Sequence, residues 1–547
     1  MSSSRTSTIT LEEAVDRIGT GRFQLPVFIA TGLTWSGDAM ELTVIAFVLP
    51  VLSKEWGVSQ AAADALASIM FVGMLVGALA WGLFTDTFGR KAGWMATTSI
   101  TAIAGALSAA APDGSVLLFL VLRAAVGLGL SGTNLGFALC SELLPQRTRG
   151  KLLMYFELFF VGGSVFEVLL AWAVLDHSAG WRWVLLLSTL PLWIALTLSR
   201  LVPESPRWLT AHGEAAAAAA TLRRAARANG QPLPFGAGEA LACSPMRDQR
   251  DSRCEADCDD VGVVDCDDAA AAVDSRPRTR ADEDASRRRR RGCLSAGVAD
   301  AIAHVGAVFH PSIRASSVAL CAGWFLLTFT YFGCMFITPK VLAAALPPEA
   351  GSSNTNSSGG GGDGGDGGGG ASDAGYATSL LATLAEVPGL LLATLAIDRA
   401  GRVRTVVGGT LLVAAALASM AFVAAAVGEG SHAAAVLLVV LLVVGRAAAF
   451  GSYSALYVLS AELLPTRLRA TGFGIVSAAS RLAGTATPFV AGSVWAASPA
   501  AALTCYAAAA ALCALVVGRL QDTRRRAMPE EIEGLKWSTA APVPVPS

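Results

Sequence analysis

Apolar residues make up 53% of this 547-residue chain, and charged residues only 15%. Soluble domains average about 25% charged residues, so the composition excludes a simple string of soluble domains. The formal net charge of −1 points to no particular partner, and we expect no nucleic-acid binding.

The apolar residues fall into blocks of about 20 or more, long enough for a helix to cross ~30 Å of hydrocarbon. The polar residues before the first block contain no secretory signal, so we expect that block to act as an uncleaved anchor. We predict twelve membrane-spanning helices, called spans 1 to 12, at residues 26–50, 61–84, 92–111, 115–140, 152–175, 181–202, 316–339, 376–398, 403–426, 433–458, 469–495 and 498–518.

Basic residues mark alternate ends of these spans. They crowd the connections between spans 2 and 3, 4 and 5, 8 and 9, and 10 and 11, and the segment after span 12. Because basic residues resist translocation, this side is predicted to be cytoplasmic, together with both termini. The predicted units are an N-terminal segment 1–25, a six-helix bundle 26–202, a cytoplasmic linker 203–315, a second six-helix bundle 316–518 and a cytoplasmic tail 519–547.

Two segments interrupt the pattern of spans. The linker 203–315 contains an Ala-rich run that predicts a short surface helix, and its composition predicts that most of the rest is disordered. The external insert 345–375 is mostly Gly, Ser, Asn and Asp, which predicts a flexible loop. Its sequon at Asn356 is expected to be glycosylated only if the loop enters a secretory lumen.

One motif occurs in both halves of the chain. Ser141–Arg149 reads SELLPQRTR, and Ala461–Arg469 reads AELLPTRLR. Each copy follows a long apolar segment with one arginine, Arg123 in the first half and Arg446 in the second. Duplicated helix ends in a membrane chain are typical of secondary transporters built from two halves of like topology.

The charges of these loops lie where membrane helices meet headgroups and water. We predict that they latch the two halves together on the cytoplasmic side in the outward-open state, so that breaking them shifts the conformational balance. The alternative is that they only set the topology. The predicted gate residues are Gly82, Asp86, Gly89, Arg90, Glu142, Arg147 and Arg149 in the first half, and Asp398, Gly401, Arg402, Glu462, Arg467 and Arg469 in the second.

Charged residues inside the spans are functional hypotheses by default, because a charge in the bilayer core is costly unless it faces a cavity or a partner. A buried carboxyl without a partner can remain protonated. An excess of acids over bases therefore suits a proton-coupled carrier. The charged groups within the spans are Asp38, Glu41, Arg123, Glu157, Glu167, Glu386, Arg446 and Arg481.

In span 1, Trp35, Asp38 and Glu41 recur every three residues and share one helical face. An aromatic ring with two acids can hold a cation, or can bind and release a proton. The alternative is that the acids pair with an arginine of a neighbouring helix.

The intramembrane arginines suggest a second kind of ligand. An arginine fork suits a carboxylate, which Arg123 or Arg446 could bind bidentately. Pairing with Glu157 or Glu167 is the alternative. Arg481 and Glu386 have no counterpart in the first half, and such asymmetry favours contact with substrate over a scaffold role.

Three short motifs, together with the repeated loops, carry a family resemblance. They are WSGDAME at Trp35–Glu41, GWRW at Gly180–Trp183 and PESPR at Pro203–Arg207. The chain resembles the major facilitator superfamily over almost everything except the two inserts. Within it, the motifs resemble the group of synaptic vesicle 2-related proteins and plant nicotinate transporters, also called organic cation/carnitine transporters.

The resemblance implies an all-α membrane protein with two six-helix bundles, a central cavity and alternating access. It suggests a nicotinate-like substrate, with Arg123, Arg446 or Arg481 as the carboxylate partner and Asp38 as the proton carrier. We therefore expect a monomeric, proton-coupled carrier of a small organic ion, in the plasma membrane or an endomembrane such as a vacuole or vesicle.

Two alternatives to this carrier remain. One is a carrier of an organic cation such as carnitine or choline, which the acidic face of span 1 favours. The other is a transport-silent vesicle protein that acts as a binding or trafficking module through its linker. The sequence contains no nucleophile–base pair, phosphate loop, zinc helix or dinucleotide motif, so we expect no enzyme, cofactor or metal site.

Overall fold

A computed structural model of the protein describes residues 7–175, 177, 180–212, 214–233, 239–241, 306–345, 373–426, 432–464 and 469–523. The predicted sequon at Asn356 and the predicted gate residue Arg467 lie outside these ranges. Four further gate residues are described for their backbone only, namely Asp86, Arg147, Asp398 and Arg469.

The described chain is almost entirely helical, with two strands of three residues each. The first half contains β1 (Ser7–Ile9), α1 (Leu11–Ile18), α2 (Gln24–Glu55), α3 (Gln60–Phe88), α4 (Arg90–Ala109), α5 (Val116–Leu130), α6 (Thr133–Glu142), α7 (Gln146–Val174), α8 (Gly180–Ser188) and α9 (Leu190–Leu198). The linker contributes α10 (Pro206–Ala211), α11 (Ala215–Asn229) and β2 (Glu239–Leu241). The second half contains α12 (Arg314–Ala345), α13 (Asp373–Leu384), α14 (Glu386–Ala400), α15 (Arg402–Ala426), α16 (His432–Leu463), α17 (Arg469–Phe489), a π-helical turn (Val490–Val494), α18 (Trp495–Ala497) and α19 (Pro499–Val517).

A helix or a pair of successive helices lies at each of the twelve predicted spans. Within the described residues, ten helical stretches are long and apolar enough to cross a membrane. The two more polar helices, α4 and α17, complete the set as spans 3 and 11. In chain order the spans are α2, α3, α4, α5 with α6, α7, α8 with α9, α12, α13 with α14, α15, α16, α17 to α18, and α19.

Several spans are interrupted, which the apolar pattern did not reveal. Span 4 breaks between α5 and α6, where Ser131 and Gly132 form a turn. In span 11, Pro488 removes one backbone donor, and the π-helical turn follows directly. Such turns are frequent at functional sites.

The two halves pack in the same way internally. In the first half, span 2 packs on span 4 and span 1 packs on span 5. In the second half, span 8 packs on span 10 and span 7 packs on span 11. Spans 3 and 4 correspond likewise to spans 9 and 10. The fold is therefore two six-helix bundles of like topology, as the repeated motifs predict.

The repeated loops lie at one face of the bundle, here called the basic face. Span 2 ends there at Gly89 and span 8 at Gly401, and both glycines have a φ of 101°. This conformation is strained for any residue with a Cβ. The opposite face carries the other ends of the spans, including Gln60 at the start of span 2 and Pro499 at the start of span 12.

The start of the linker, predicted to be largely disordered apart from one helix, is ordered and docks on the N-terminal segment. Strands β1 and β2 pair in parallel. Asn229 at the end of α11 accepts from the backbone N–H of Phe23 over 3.0 Å and donates to the carbonyl of Gly19 over 3.2 Å and to Gln24 Oε1 over 3.0 Å. The Ala-rich run forms α11, as predicted, and residues 242–305 lie outside the described ranges.

We expect Asn229→Ala to release the N-terminal segment from α11, because the substitution removes all of these hydrogen bonds. Each hydrogen bond contributes about 0.5–1.5 kcal/mol. Limited proteolysis should cleave the variant faster before Gln24 than it cleaves the parent. Gln231→Ala, at an exposed neighbouring position, is the control. Equal cleavage of the Asn229 variant and the parent would contradict this docking role.

Candidate functional site

A small cavity of about 30 Å³ lies between the two halves. Ligand pockets commonly measure about 300–1,000 Å³, so the two bundles are closed tightly around this space. Its wall comes from both bundles and consists of Trp35, Asp38, Leu42, Asn134, Glu157 and Phe160 from the first half and Tyr331, Phe332, Phe450, Tyr453, Tyr457 and Arg481 from the second.

Two oppositely charged residues meet across this cavity. Asp38 of span 1 and Arg481 of span 11 are only 6% and 8% exposed, and the guanidinium acts on the carboxylate electrostatically. Thr133 Oγ1 donates to Asp38 Oδ2 over 3.3 Å. Among the described residues, Asp38 Oδ1 and Arg481 Nε have no hydrogen-bond partner. Both residues line the cavity, and the pair therefore retains unused hydrogen-bonding capacity beside it.

A second acid, Glu157 of span 5, also lines the cavity. It faces the indole N–H of Trp35, but the contact does not reach hydrogen-bond geometry. Of the three residues predicted to share one face of span 1, Trp35 and Asp38 reach the cavity and Glu41 does not.

Aromatic rings form most of the remaining wall. Phe160 of the first half stacks on Phe450 of the second, with ring centroids 6.1 Å apart and an interplanar angle of 24°. Tyr331 lies 6.0 Å from Phe450 and 5.4 Å from Tyr453, again between ring centroids. Such a frame can hold a planar ring, and the faces of the rings can also attract a cation.

Glu41 forms an ion pair with Arg123 that lies outside the cavity, within the first half. Arg123 Nη1 donates to Glu41 Oε2 over 2.8 Å, and both side chains are fully buried. Ser108 Oγ accepts from Arg123 Nε over 3.3 Å. The arginine thus pairs with span 1, not with the span 5 acids Glu157 or Glu167 considered from the sequence.

Glu167 belongs to the same buried polar region. It is fully buried, accepts from Ser188 Oγ over 2.8 Å and interacts electrostatically with Glu41. It therefore lies among the internal polar groups of the first bundle.

The second half contains a comparable ion pair. Arg446 Nη2 donates to Glu386 Oε1 over 2.5 Å, and both side chains are buried. Thr338 and Tyr331 contact this pair as further polar partners. Spans 4 and 10 thus each place a buried arginine on an acid, but the acid comes from span 1 in the first half and from span 8 in the second.

At the basic face of the first half, the loop motifs contact the residues that follow span 6. Ser205 Oγ donates to Glu142 Oε2. Glu204 Oε1 accepts from the backbone N–H of Lys91 over 3.0 Å, and its carboxylate lies against the backbone of Gly89.

The second half repeats this arrangement after span 12. Thr523 Oγ1 donates to Glu462 Oε2, and Arg402 forms an ion pair with Glu462 over 3.0 Å. Asp522 Oδ1 accepts from the backbone N–H of Arg402 over 3.3 Å, and its carboxylate lies against Gly401. An acid followed by a hydroxyl residue therefore secures the loop in each half. The sequence shows this repeat as Glu204–Ser205 and Asp522–Thr523. The two dipeptides were not among the residues predicted from the sequence.

The other described gate residues also contact groups of their own half. Arg90 Nη1 donates to Thr85 Oγ1 over 2.9 Å. Arg149 donates from Nε and Nη2 to the carbonyl of Leu144. Burial lowers the pKa of Arg149, and the charge of Arg207 lowers it further. Gly82 is exposed on span 2. The predicted latch between halves stays a prediction.

Sequence and fold comparisons with known proteins identify transporters as relatives of this chain. A family model described as "Sugar (and other) transporter" matches residues 33–237 and 370–520. A synaptic vesicle 2-related protein of Rattus norvegicus is 31% identical over 96% of this chain and 83% of its own length. The chain belongs to the sugar (and other) transporter family.

A plant relative and a solved structure extend the comparison. Organic cation/carnitine transporter 7 of Arabidopsis thaliana is 28% identical to this transporter over 88% of each chain. The xylose transporter XylE from E. coli, in a partially occluded inward open conformation, matches the fold with a TM-score of 0.62 and 17% identity, over 92% of this chain and 98% of XylE. The predicted family and the multi-pass membrane location are confirmed.

We expect the Glu386–Arg446 pair to be structural. Glu386→Ala should destabilise the transporter by about 3–5 kcal/mol, because it leaves a buried guanidinium without its counter-charge. Glu386→Leu combined with Arg446→Met should recover most of this loss, because it removes both charges. Thermal unfolding in detergent measures the difference, with the exposed Glu214→Ala as control. An unfolding midpoint of Glu386→Ala equal to the parent's would rule out a structural pair.

Proposed function

We propose that this transporter carries a small organic carboxylate, nicotinate-like in size and planarity, together with protons, by alternating access. The basic face is assigned to the cytoplasm, because the basic loops lie there. The observation that carries the proposal is the position of Arg481, a buried guanidinium in the wall of the central cavity.

The three intramembrane arginines differ in their surroundings. Arg123 and Arg446 are each held by a carboxylate of their own half. For Arg481 no ion pair is described within 4.0 Å among the described residues, and its Nε has no hydrogen-bond partner there. A guanidinium fork in an aromatic cavity is well suited to a substrate carboxylate. Arg481 is therefore the proposed substrate contact.

Asp38 is the proposed proton carrier. It lies in the same cavity and interacts with Arg481 electrostatically. When Asp38 is ionised, it competes with a substrate carboxylate for the guanidinium. When it is protonated, this competition ends and the substrate can bind. Proton uptake and anion binding would then favour each other, as symport requires.

The wall of the cavity favours a planar, partly apolar substrate. Aromatic rings dominate the lining, three of them tyrosines, and Asn134 is the one carboxamide among the described lining residues. A sugar has many hydroxyl groups, and each needs a hydrogen-bond partner when it is buried. The stacked Phe160 and Phe450 rings are better suited to an aromatic ring.

A carrier of an organic cation is the second candidate. Glu157 and Trp35 lie together in the cavity wall, and an acid beside an indole ring is a suitable site for a quaternary ammonium group. Uptake of labelled nicotinate at an acidic and a neutral external pH, with carnitine as competitor, distinguishes the candidates. Acid-stimulated uptake that carnitine leaves unchanged supports the anion carrier. Carnitine uptake without nicotinate uptake supports the cation carrier.

We expect Arg481→Lys to raise the apparent KM for the carboxylate substrate about tenfold or more, since a point charge replaces a bidentate fork. The maximal rate should change much less if the cavity keeps its shape. Radiolabelled uptake over a range of substrate concentrations provides both values. Arg224→Lys, on the exposed face of α11, is the matched control. An unchanged KM would remove Arg481 from the substrate site.

We expect Asp38→Asn to remove the dependence of uptake on a pH gradient while substrate exchange continues, because the amide keeps the shape of the side chain but cannot carry a proton. Proteoliposomes with and without an imposed gradient separate the two activities. Asp113→Asn is the control, because Asp113 is an exposed acid paired with Arg182 far from the cavity. Gradient-driven uptake by the Asp38 variant at the parental level would refute the role.

A further inference from the structure

A hydrogen-bonded cluster joins the two halves at the face opposite the basic face. Asp64, near the start of span 2, is 2% exposed. Its Oδ2 accepts from the backbone N–H of Ser493 over 3.0 Å and also from Ser493 Oγ. Its Oδ1 accepts from Gln60 Nε2 over 2.7 Å. A carboxylate of the first half is therefore bound to the backbone of span 11 in the second half.

The partner of Asp64 is the π-helical turn Val490–Val494. Gly492 makes the contact possible, because a Cβ at this position would lie 1.7 Å from Asp64 Oδ1. From the other side, Lys340 Nζ of span 7 donates to the carbonyl of Ala491 over 2.6 Å. The turn thus presents an N–H to the first half and a carbonyl to span 7 of its own half. In a regular α-helix that N–H would bond to the carbonyl four residues earlier.

The same face is closed by aromatic packing. Tyr376 of span 8 stacks between Phe47 of span 1 and Trp172 of span 5, with centroid distances of 6.1 Å and 6.3 Å. Deeper in the membrane, Phe71 of span 2 packs against Phe332 of span 7 at 5.1 Å. These contacts separate the central cavity from the opposite face.

A second cavity of about 300 Å³ lies beside the Asp64 cluster. Its wall combines residues of spans 1 and 2 with residues of spans 7 and 11, so it lies on the interface between the halves. The polar side chains in its wall are Ser53, Gln60, Asp64 and Lys340. Water that enters this cavity can compete for the Asp64 carboxylate and for Lys340 when the halves separate.

We propose that Asp64 and the π-helical turn form the gate of the opposite face, and that Asp64 is the residue that sets how often this gate opens. The carboxylate holds the turn while the central cavity is closed towards that face. Rotation of the halves breaks the contacts with Ser493, and the carboxylate is then solvated in the enlarged cavity. The gate works in this way whatever the substrate is, and whichever side of the membrane the face occupies.

Opening of the second cavity can be measured with a cysteine at Ser53, which is partly buried in its wall. The reporter is placed in a background with Cys505→Ser, because Cys505 is an exposed cysteine of the parent. The five cysteines outside the described residues are also changed to serine, namely Cys243, Cys254, Cys258, Cys266 and Cys293. Purified full-length protein in nanodiscs is treated with a bulky polar maleimide, so both faces are accessible. The labelling rate of the same background without Ser53→Cys is subtracted from the rate measured with it.

Two variants weaken the gate by different means. Asp64→Asn removes the charge and places an amide NH₂ near the Ser493 donors. Gly492→Ala forces the backbone of the turn away from Asp64. We expect each to raise the labelling rate of Ser53→Cys about fivefold or more, the usual lower range for a shift between two states. Ser493→Ala, which keeps the backbone donor and removes the hydroxyl, should give a smaller increase.

Matched controls come from the same chain. Gly474 lies in span 11, and a Cβ added there would contact no other atom, so Gly474→Ala is one control. Asp113→Asn, which removes an exposed acid, is the other. Both should label at the parental rate. If Asp64→Asn and Gly492→Ala fold with the parental unfolding midpoint and also label at the parental rate, the gate is refuted. The measurement uses no substrate, so a failure of the gate is distinct from a failure of the proposed carboxylate transport.

Discussion

The structure depends on how charges are accommodated within the depth of a membrane. A charge there is costly unless a partner or a polar cavity receives it. Glu41 with Arg123, and Glu386 with Arg446, are satisfied inside their own bundles. Arg481 instead lies at the junction of the bundles. Each bundle thus compensates these buried charges internally, whereas Arg481 lies in the wall of the cavity between the bundles.

Internal pairing also explains why each half can behave as one body. At the basic face, Glu204 with Ser205 secures the first half, and Asp522 with Thr523 secures the second. These four hydrogen bonds each join residues of one bundle, whereas Asp64 accepts hydrogen bonds from the other bundle at the opposite face. A carrier that alternates between two openings needs strong contacts within each half and breakable contacts between them.

The sequence predicts the helices well and the pairings poorly. Span positions follow from local apolar composition, so all twelve were predictable, and so was the duplication. The partner of Arg123 was not, because Glu41 lies 82 residues away and only tertiary packing brings the two together. Asp64 was overlooked because an acid near a helix start resembles an ordinary interfacial charge. Its role emerges only from the π-helical turn, which a composition pattern does not reveal.

The positions of Asp38 and Arg481 connect binding to movement. One lies on span 1 and the other on span 11, so their attraction is strongest when the bundles close around the cavity. In the transport cycle that we propose, a proton on Asp38 weakens this attraction, and a substrate carboxylate on Arg481 replaces it. With both bound, the junction is again electrically neutral, which favours closure. With only one of them bound, one buried charge stays uncompensated. Charge balance at the junction can therefore couple proton binding to substrate binding without further proton-carrying residues.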